Sequence, residues 1–330
     1  MEQTEHKTGA NAAEVGRASS FVQPHSAQAQ ATKPKEVVNR QSWLDKPKRL
    51  AYRVSKVIFD GSGFALSALA KFNIEASHQN IDTTEIPIEI ANLPEHLHGL
   101  RIAQISDLHF GSFLAHEGMD RIIELTKSLR PDLILLTGDY VNRWVSEVKQ
   151  VIPMLGRLEA PLGVYAVLGN HDFYADAEET MRLLSRHGIK YLDHDSESIT
   201  VAGSRLWLLG SGDYNKDRRY DLNPRLARVP VDEPRIVMAH NPDTADLPRS
   251  HRVDLMMCGH THGGQIRLPG RGALLLPTYN RNYDQGLFRL GEMQLFVSRG
   301  VGMVGLPFRV NCPPQLPILQ LVPAGAVNPS

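Results

Sequence analysis

Seven side chains able to bind a borderline divalent metal stand in five short clusters. They are Asp107 and His109 in "DLH", Asp139 in "GDYVN" (138–142), Asn170 in "GNHD" (169–172), His240 in "AHNPD" (239–243), and His260 and His262 in "GHTHGG" (259–264). Carboxylate, amide and imidazole donors without thiolate suit manganese, iron, zinc or cobalt better than copper(I) or an iron–sulfur cluster. Seven protein ligands are too many for one catalytic ion that must keep an open position, but they fit two ions sharing a carboxylate. Such a pair clamps the attacking and leaving oxygens of a phosphoryl transfer and lowers the pKa of a water between them. Taken singly, each cluster has a plainer reading: a lone histidine is usually structural, and "GD" or "GN" usually marks a turn. Five together require a common cause. Cys258, directly before the last cluster, reads as small core packing, and His116, His187, His194 and His251 read as ordinary histidines.

The elements that must position these clusters are visible as short apolar runs. "LRIAQIS" (100–106), "DLILLTG" (132–138), "GVYAVLG" (163–169), "RIVMAH" (235–240) and "VDLMMCG" (253–259) each lead directly into one cluster. Helix-like segments at 116–129 and 176–187 separate some of them, and "IPIEI" (86–90) alternates like a half-buried strand. Strand, loop and helix in alternation predict an α/β domain with buried strands, in which ligands bind outside the carboxyl ends of the strands. In "DLH" and "HTH" the polar residues are one apart, so a continuing extended strand would point both the same way.

The ordered set D-x-H, G-D-x-x-N, G-N-H-D, H and G-H-T-H resembles that of the calcineurin-like metallophosphoesterases over about residues 99–265. The stretches "GGQIRLPG" and "SRGVGMVGLPFRVNCPPQLPILQL" further resemble a bacterial branch with membrane-associated phosphodiesterases and UDP-2,3-diacylglucosamine pyrophosphatases. The resemblance implies a four-layer α/β/β/α sandwich of two mixed sheets and two divalent ions, manganese first, with iron, zinc or cobalt as alternatives. It implies that Asp107, His109 and His262 hold one ion and Asn170, His240 and His260 the other, with Asp139 bridging. It assigns His171 to the leaving group as a non-ligand acid, with Asp172 orienting its ring. The expected reaction is in-line hydrolysis of a phosphodiester or pyrophosphate by a bridging hydroxide, with a lipid-linked substrate in view. A general soluble phosphomonoesterase or phosphodiesterase is the alternative, and a non-catalytic metal-stabilised binding module the remote one. Arg143, Arg299 and Arg309 are candidate cations for non-reacting phosphate oxygens. Tyr174, Trp207 and Tyr214 read equally as cleft or core.

The chain has 330 residues, with 36 basic and 36 acidic side chains, so no global charge draws it to nucleic acid and none is expected as a partner. Two cysteines exclude a disulfide framework and favour a reducing, cytoplasmic setting. The Met1 start carries no secretory pattern, and the apolar stretch 61–70 is too short to span a bilayer. Residues 1–42, poor in large apolar groups, predict a disordered tail, followed by a basic amphipathic segment at 43–75 and the enzymatic domain at 76–330. From Lys33 to Lys56 the chain carries eight basic residues against two acidic ones, interleaved with Trp43, Leu44, Leu50 and Val54. That pattern fits either a helix packed on the domain or a peripheral contact with an anionic membrane surface.

Overall fold

In the computed structural model the described residues are 74–75, 80–192, 194–217, 221–247 and 249–326. The expected tail and nearly all of the basic segment lie outside them.

Twelve strands build two six-stranded mixed sheets. The first contains β1 (Glu85–Ile90), β2 (Arg101–Ile105), β3 (Leu133–Leu136), β4 (Val164–Ala166), β5 (Lys190–Tyr191) and β12 (Ile318–Pro323), in the order β1-β12-β2-β3-β4-β5. Strands β2 to β5 run parallel, and only the β12–β2 pairing is antiparallel. The second contains β6 (Ser196–Val201), β7 (Ser204–Gly210), β8 (Arg235–Met238), β9 (Leu255–Cys258), β10 (Gly286–Leu290) and β11 (Met293–Val297), in the order β10-β11-β9-β8-β7-β6. There β7, β8, β9 and β11 are mutually parallel, with an antiparallel hairpin at each edge.

The central strands are apolar on both faces because both faces are covered. Ile102, Leu133, Leu135, Ile236, Met238, Leu255 and Met257 meet between the sheets. Their alternating neighbours Ala103, Ile105, Ile134 and Leu136 face helices α1 (His116–Ser128), α2 (Val145–Leu155) and α4 (Ala177–Arg186). Helix α1 buries Met119, Ile122, Ile123 and Thr126, a stripe at helical spacing. Helix α4 starts where the Asp176 carboxylate accepts the Glu179 N–H at 3.0 Å. The outer face of the second sheet, with Val237, Met256, Cys258 and Leu295, is covered more thinly, by the single-turn helix Asn223–Leu226 and by loop residues such as Val229, Ala245 and Tyr283. Cys258 is core packing, fully buried and free.

Register brings the strand ends level. Ile105 pairs with Leu136 and Leu136 with Ala166, while Met238 pairs with Met257. The five clusters therefore emerge together at one rim, three from the first sheet and two from the second. Gln104 ties the sheets there, its amide donating to Thr137 Oγ1 at 2.9 Å and to the Cys258 carbonyl at 3.0 Å.

Candidate metal centre

The loops after β2, β3 and β9 turn inward through residues in the left-handed region. Asp107, His109, Asp139, His260 and His262 have φ of 55°, 47°, 57°, 70° and 53°. Non-glycine residues there cost of order 1–3 kcal/mol each, and such strain gathers at functional sites. This corrects the expectation of a continuing extended strand: β2 ends at Ile105, and the D-x-H and H-x-H pairs converge through left-handed kinks rather than through strand alternation. Glycines provide the close approach. A Cβ on Gly169 would overlap the Asp139 carboxylate, and one on Gly259 the Ser106 hydroxyl and Asp107 carboxylate.

The side chains fall into two adjoining groups. In one, Nε2 of His109 lies 2.9 Å from Nε2 of His262, and the latter is 3.5 Å from Asp107 Oδ1. In the other, Nδ1 of His260 lies 3.1 Å from Nε2 of His240. Asp139 sits between them, its Oδ2 3.6 Å from His109 Nε2 and 3.2 Å from His240 Nε2. Metal–nitrogen bonds of roughly 2.1 Å place neighbouring ligands of one ion about 3 Å apart, so both imidazole pairs have the spacing an ion needs. Asn170, at the start of α3 (Asn170–Ala175), has a buried Oδ1 without a hydrogen-bond partner among the described residues, as a waiting ligand would. The donor set thus fits two borderline divalent ions, and ligand atoms of Asp107, His109 and His262, and of Asp139, His240 and His260, lie within 4.8 Å of one another.

Backbone carbonyls orient the rings. His240 Nδ1 donates to the Thr137 carbonyl at 2.8 Å, and His260 Nε2 faces that of Pro277 at 3.4 Å, which turns the opposite nitrogens inward. The His260 N–H donates to the Asp107 carboxylate at 2.9 Å.

The charges are arranged for cations. Burial drives the rings of His109 and His262 well below their usual pKa and His260 down to about 3. Burial also disfavours a charged His240, but Asp139, Asp107 and Asp213 outweigh it and raise the ring to about 10. Burial, with the Asp139 charge, pushes Asp107 up to about 6. For Asp139, burial is outweighed by His240 and His171, which hold its carboxyl well below the usual range. The metal-free pocket therefore carries a buried Asp139–His240 ion pair, and a metal entering it must displace the His240 proton.

His171 lies beside this group, its ring 4.6 Å from that of His109 and nearly perpendicular to it. Its Nδ1 donates to the Asn142 carbonyl at 2.5 Å, leaving Nε2 for a ligand. Asp172 does not orient this ring, contrary to expectation. Its buried carboxylate instead accepts the N–H groups of Asp139, Tyr140 and Gly169 at 2.8–2.9 Å and clamps two site loops together. Burial and the neighbouring Asp139 charge push Asp172 up to about 8, against these three donors, which favour the carboxylate.

The three arginines have separate fates. Arg309 is fully buried behind His262, its guanidinium donating to the carbonyls of Gly300, Gly302, His262 and Arg299; it is a brace, not a phosphate holder. Arg299 is paired with Asp82. Arg143 is exposed, its guanidinium 5.8 Å from the Trp144 ring, next to the residue that grips His171. Trp207 lies away from the site and donates to Glu233 at 2.5 Å. Sequence reasoning missed Asn142, which acts through its backbone, and Glu147, whose carboxylate accepts the N–H groups of Asn142, Arg143 and Trp144 at 2.7–3.1 Å. Glu147 stands in the first turn of α2, a helix that sequence reasoning did not single out, so its capping role went unread.

A sequence profile of the calcineurin-like phosphoesterase family matches residues 100–264, half of the chain. The uncharacterized metallophosphoesterase YkuE of Bacillus subtilis is 31% identical over 252 residues, 73% of this chain and 85% of its own length. Phosphodiesterase YaeI of Escherichia coli is 35% identical over 227 residues, 67% of this chain and 82% of its own. A Danio rerio protein described as a transmembrane protein with metallophosphoesterase domain is 30% identical over 258 residues, 74% of this chain and 58% of its own. Among the described residues here, no helix is long and apolar enough to cross a membrane.

Proposed function

Because this chain belongs to the calcineurin-like phosphoesterase family and is a metal-dependent phosphoester hydrolase, we propose that it hydrolyses a phosphodiester or pyrophosphate bond with two divalent ions, manganese foremost. The observation that carries this reading is the pairing of inward-facing imidazoles on either side of Asp139, at 2.9 and 3.1 Å. Asp107, His109 and His262 would hold one ion and Asn170, His240 and His260 the other, with Asp139 available to both. When bound, such ions supply a low-pKa water and positive charge for the phosphoryl oxygens. His171, held through Nδ1 by the Asn142 carbonyl, passes a proton from Nε2 to the leaving oxygen. Asp172 keeps the Asp139 and Asn170 loops in register, and Arg143 is an exposed cation available to a non-reacting oxygen. The fully buried floor of Asp107, Asp139 and His240 keeps bulk water from competing for the ligands.

The basic, apolar-interleaved segment from Lys33 to Lys56 supports a peripheral position on the cytoplasmic membrane face and a lipid-linked substrate. The test is a hydrolysis panel on manganese-loaded protein: bis(p-nitrophenyl) phosphate, p-nitrophenyl phosphate, a pyrophosphate-linked lipid and soluble nucleotides. Diester or pyrophosphate cleavage should exceed monoester cleavage, with the lipid-linked compound fastest. Fastest turnover of the monoester, or none of any compound, contradicts the reading.

A further inference from the structure

The loop 211–217, after β7, is held at two points. Asp213 is fully buried, and one of its carboxylate oxygens accepts the N–H groups of Asn215 and Lys216, both at 2.9 Å. Asp217 is paired with His194 at 2.5 Å, and both side chains are nearly buried. Between these anchors the loop projects Tyr214 and Lys216 outward. The Lys216 ammonium stands 4.1 Å over the ring of Tyr174. Tyr174 follows His171 by three residues on α3, and its ring meets that of His171 edge-on at 5.4 Å. On the opposite side the Tyr214 ring lies 6.1 Å from that of Tyr279. Tyr279 belongs to the loop whose Pro277 carbonyl faces His260, and Asp243 fixes that loop by accepting the N–H groups of Tyr279 and Asn280 at 2.8 and 2.9 Å.

A lysine from the second sheet is thus seated one ring away from the proposed acid of the first. A surface lysine usually takes a carboxylate partner or stays in water; over an exposed aromatic face it is held only weakly, so it remains available to an anion. Its compact ammonium with three donors suits phosphate or carboxylate oxygens. Of the arginines singled out from the sequence, Arg299 and Arg309 are engaged elsewhere, and Lys216 joins Arg143 as an exposed cation beside His171 among the described residues.

We propose that Lys216, seated on Tyr174 beside His171, recognises a second anionic group of the substrate next to the scissile phosphoryl. The preferred substrate is therefore a phosphate ester or anhydride carrying an adjacent phosphate or carboxylate, not a diester with a single charge. The inference rests on the reading of the site as a phosphoester hydrolase. Tyr174 is a positioning residue, setting where the ammonium stands through its ring face rather than its hydroxyl.

The test compares a matched pair on the full-length, manganese-loaded protein: bis(p-nitrophenyl) phosphate and di(p-nitrophenyl) pyrophosphate, which differ by one phosphate. Hydrolysis of the second adds water across one P–O–P linkage and releases two aryl phosphates, one taking its bridging-oxygen proton from His171. Lys216→Ala should lower the ratio of kcat/KM, pyrophosphate over diester, at least tenfold and through KM. Lys216→Arg should restore most of the ratio. Tyr174→Phe should keep it, whereas Tyr174→Ala should lower it as Lys216→Ala does. A third substrate with a carboxylate beside the diester separates recognition of phosphate from recognition of any anion. An unchanged ratio in Lys216→Ala, or a wild-type protein that cleaves the diester but not the pyrophosphate, overturns the inference while leaving the hydrolase reading intact. Failure of the wild type on both compounds would instead remove that reading.

Discussion

His240 is fully buried against the Asp139 carboxylate, whereas His171 is only half-buried, yet both rings are held by a backbone carbonyl through Nδ1, and the difference in their work is set by what each second nitrogen touches. His171 meets the Asn142 carbonyl and the His109 ring, outside both proposed ligand groups. His171→Ala should therefore lower kcat by about 10²–10⁴, the range for loss of a general acid, while metal content measured by plasma emission stays within a tenth of wild type. Loss of an ion in that variant would make His171 a ligand. His240, raised to about 10 beside Asp139, holds a proton in the metal-free pocket that a metal must displace, whereas Asp107, raised only to about 6, has largely lost its own by pH 7. Each group raised in the folded chain stabilises it fully below its unfolded pKa and loses that contribution as pH rises through the folded value. For His240 the window runs from about 6.5 to about 10, so the metal-free chain should lose stability as pH rises from 6 to 8. Manganese affinity should rise over the same interval by up to about tenfold per pH unit. Thermal melts with and without manganese at pH 6, 7 and 8 should show a widening gap; a constant gap would mean that no proton leaves the site on binding.

At the scale of elements, the five strand-end loops were legible because each follows an apolar run that can only be a buried strand. Their geometry was not. The ligand pairs converge through left-handed backbone at Asp107, His109, His260 and His262, a property of the turn and not of residue spacing. Backbone partners were hidden for the same reason: the Asn142 carbonyl and the amides bound by Asp172 carry no side-chain signature. Charge misled as well, since Arg309 reads as a candidate cation for phosphate oxygens but braces the His262 loop from within. Glu147 stands at the join of these effects, because its carboxylate ties down the turn 142–144 that presents the Asn142 carbonyl to His171. Glu147→Ala should cost about 1 kcal/mol in urea unfolding, because it removes hydrogen bonds to three partly buried backbone donors that water can in part replace. It should also lower kcat without loss of metal. Wild-type kcat in a destabilised variant would detach this turn from catalysis.

The whole molecule places its chemistry where two sheets share one rim, with Asp107, His109, Asp139 and Asn170 from the first and His240, His260 and His262 from the second. The layered architecture follows from strands apolar on both faces; the thin outer cover of the second sheet does not, because loop residues such as Val229 and Tyr283 carry no periodic signal. Attachment is a property of the entire chain. The segment from Lys33 to Lys56, with eight basic and two acidic residues, should bind anionic vesicles at low salt and release them at high salt. Co-sedimentation of the full chain should exceed that of a chain beginning at Asn73; equal partitioning would remove the anchor.

The central claim is that the seven ligands act as one two-ion centre. Its most direct test is the rate of bis(p-nitrophenyl) phosphate hydrolysis as manganese is titrated into chelator-stripped protein and bound metal is counted. The rate should stay near zero without metal, rise with occupancy and level off at about two ions per chain, the number two ligand groups sharing one carboxylate can hold. Full activity without metal, or a plateau at one ion with no gain from a second, would contradict the account.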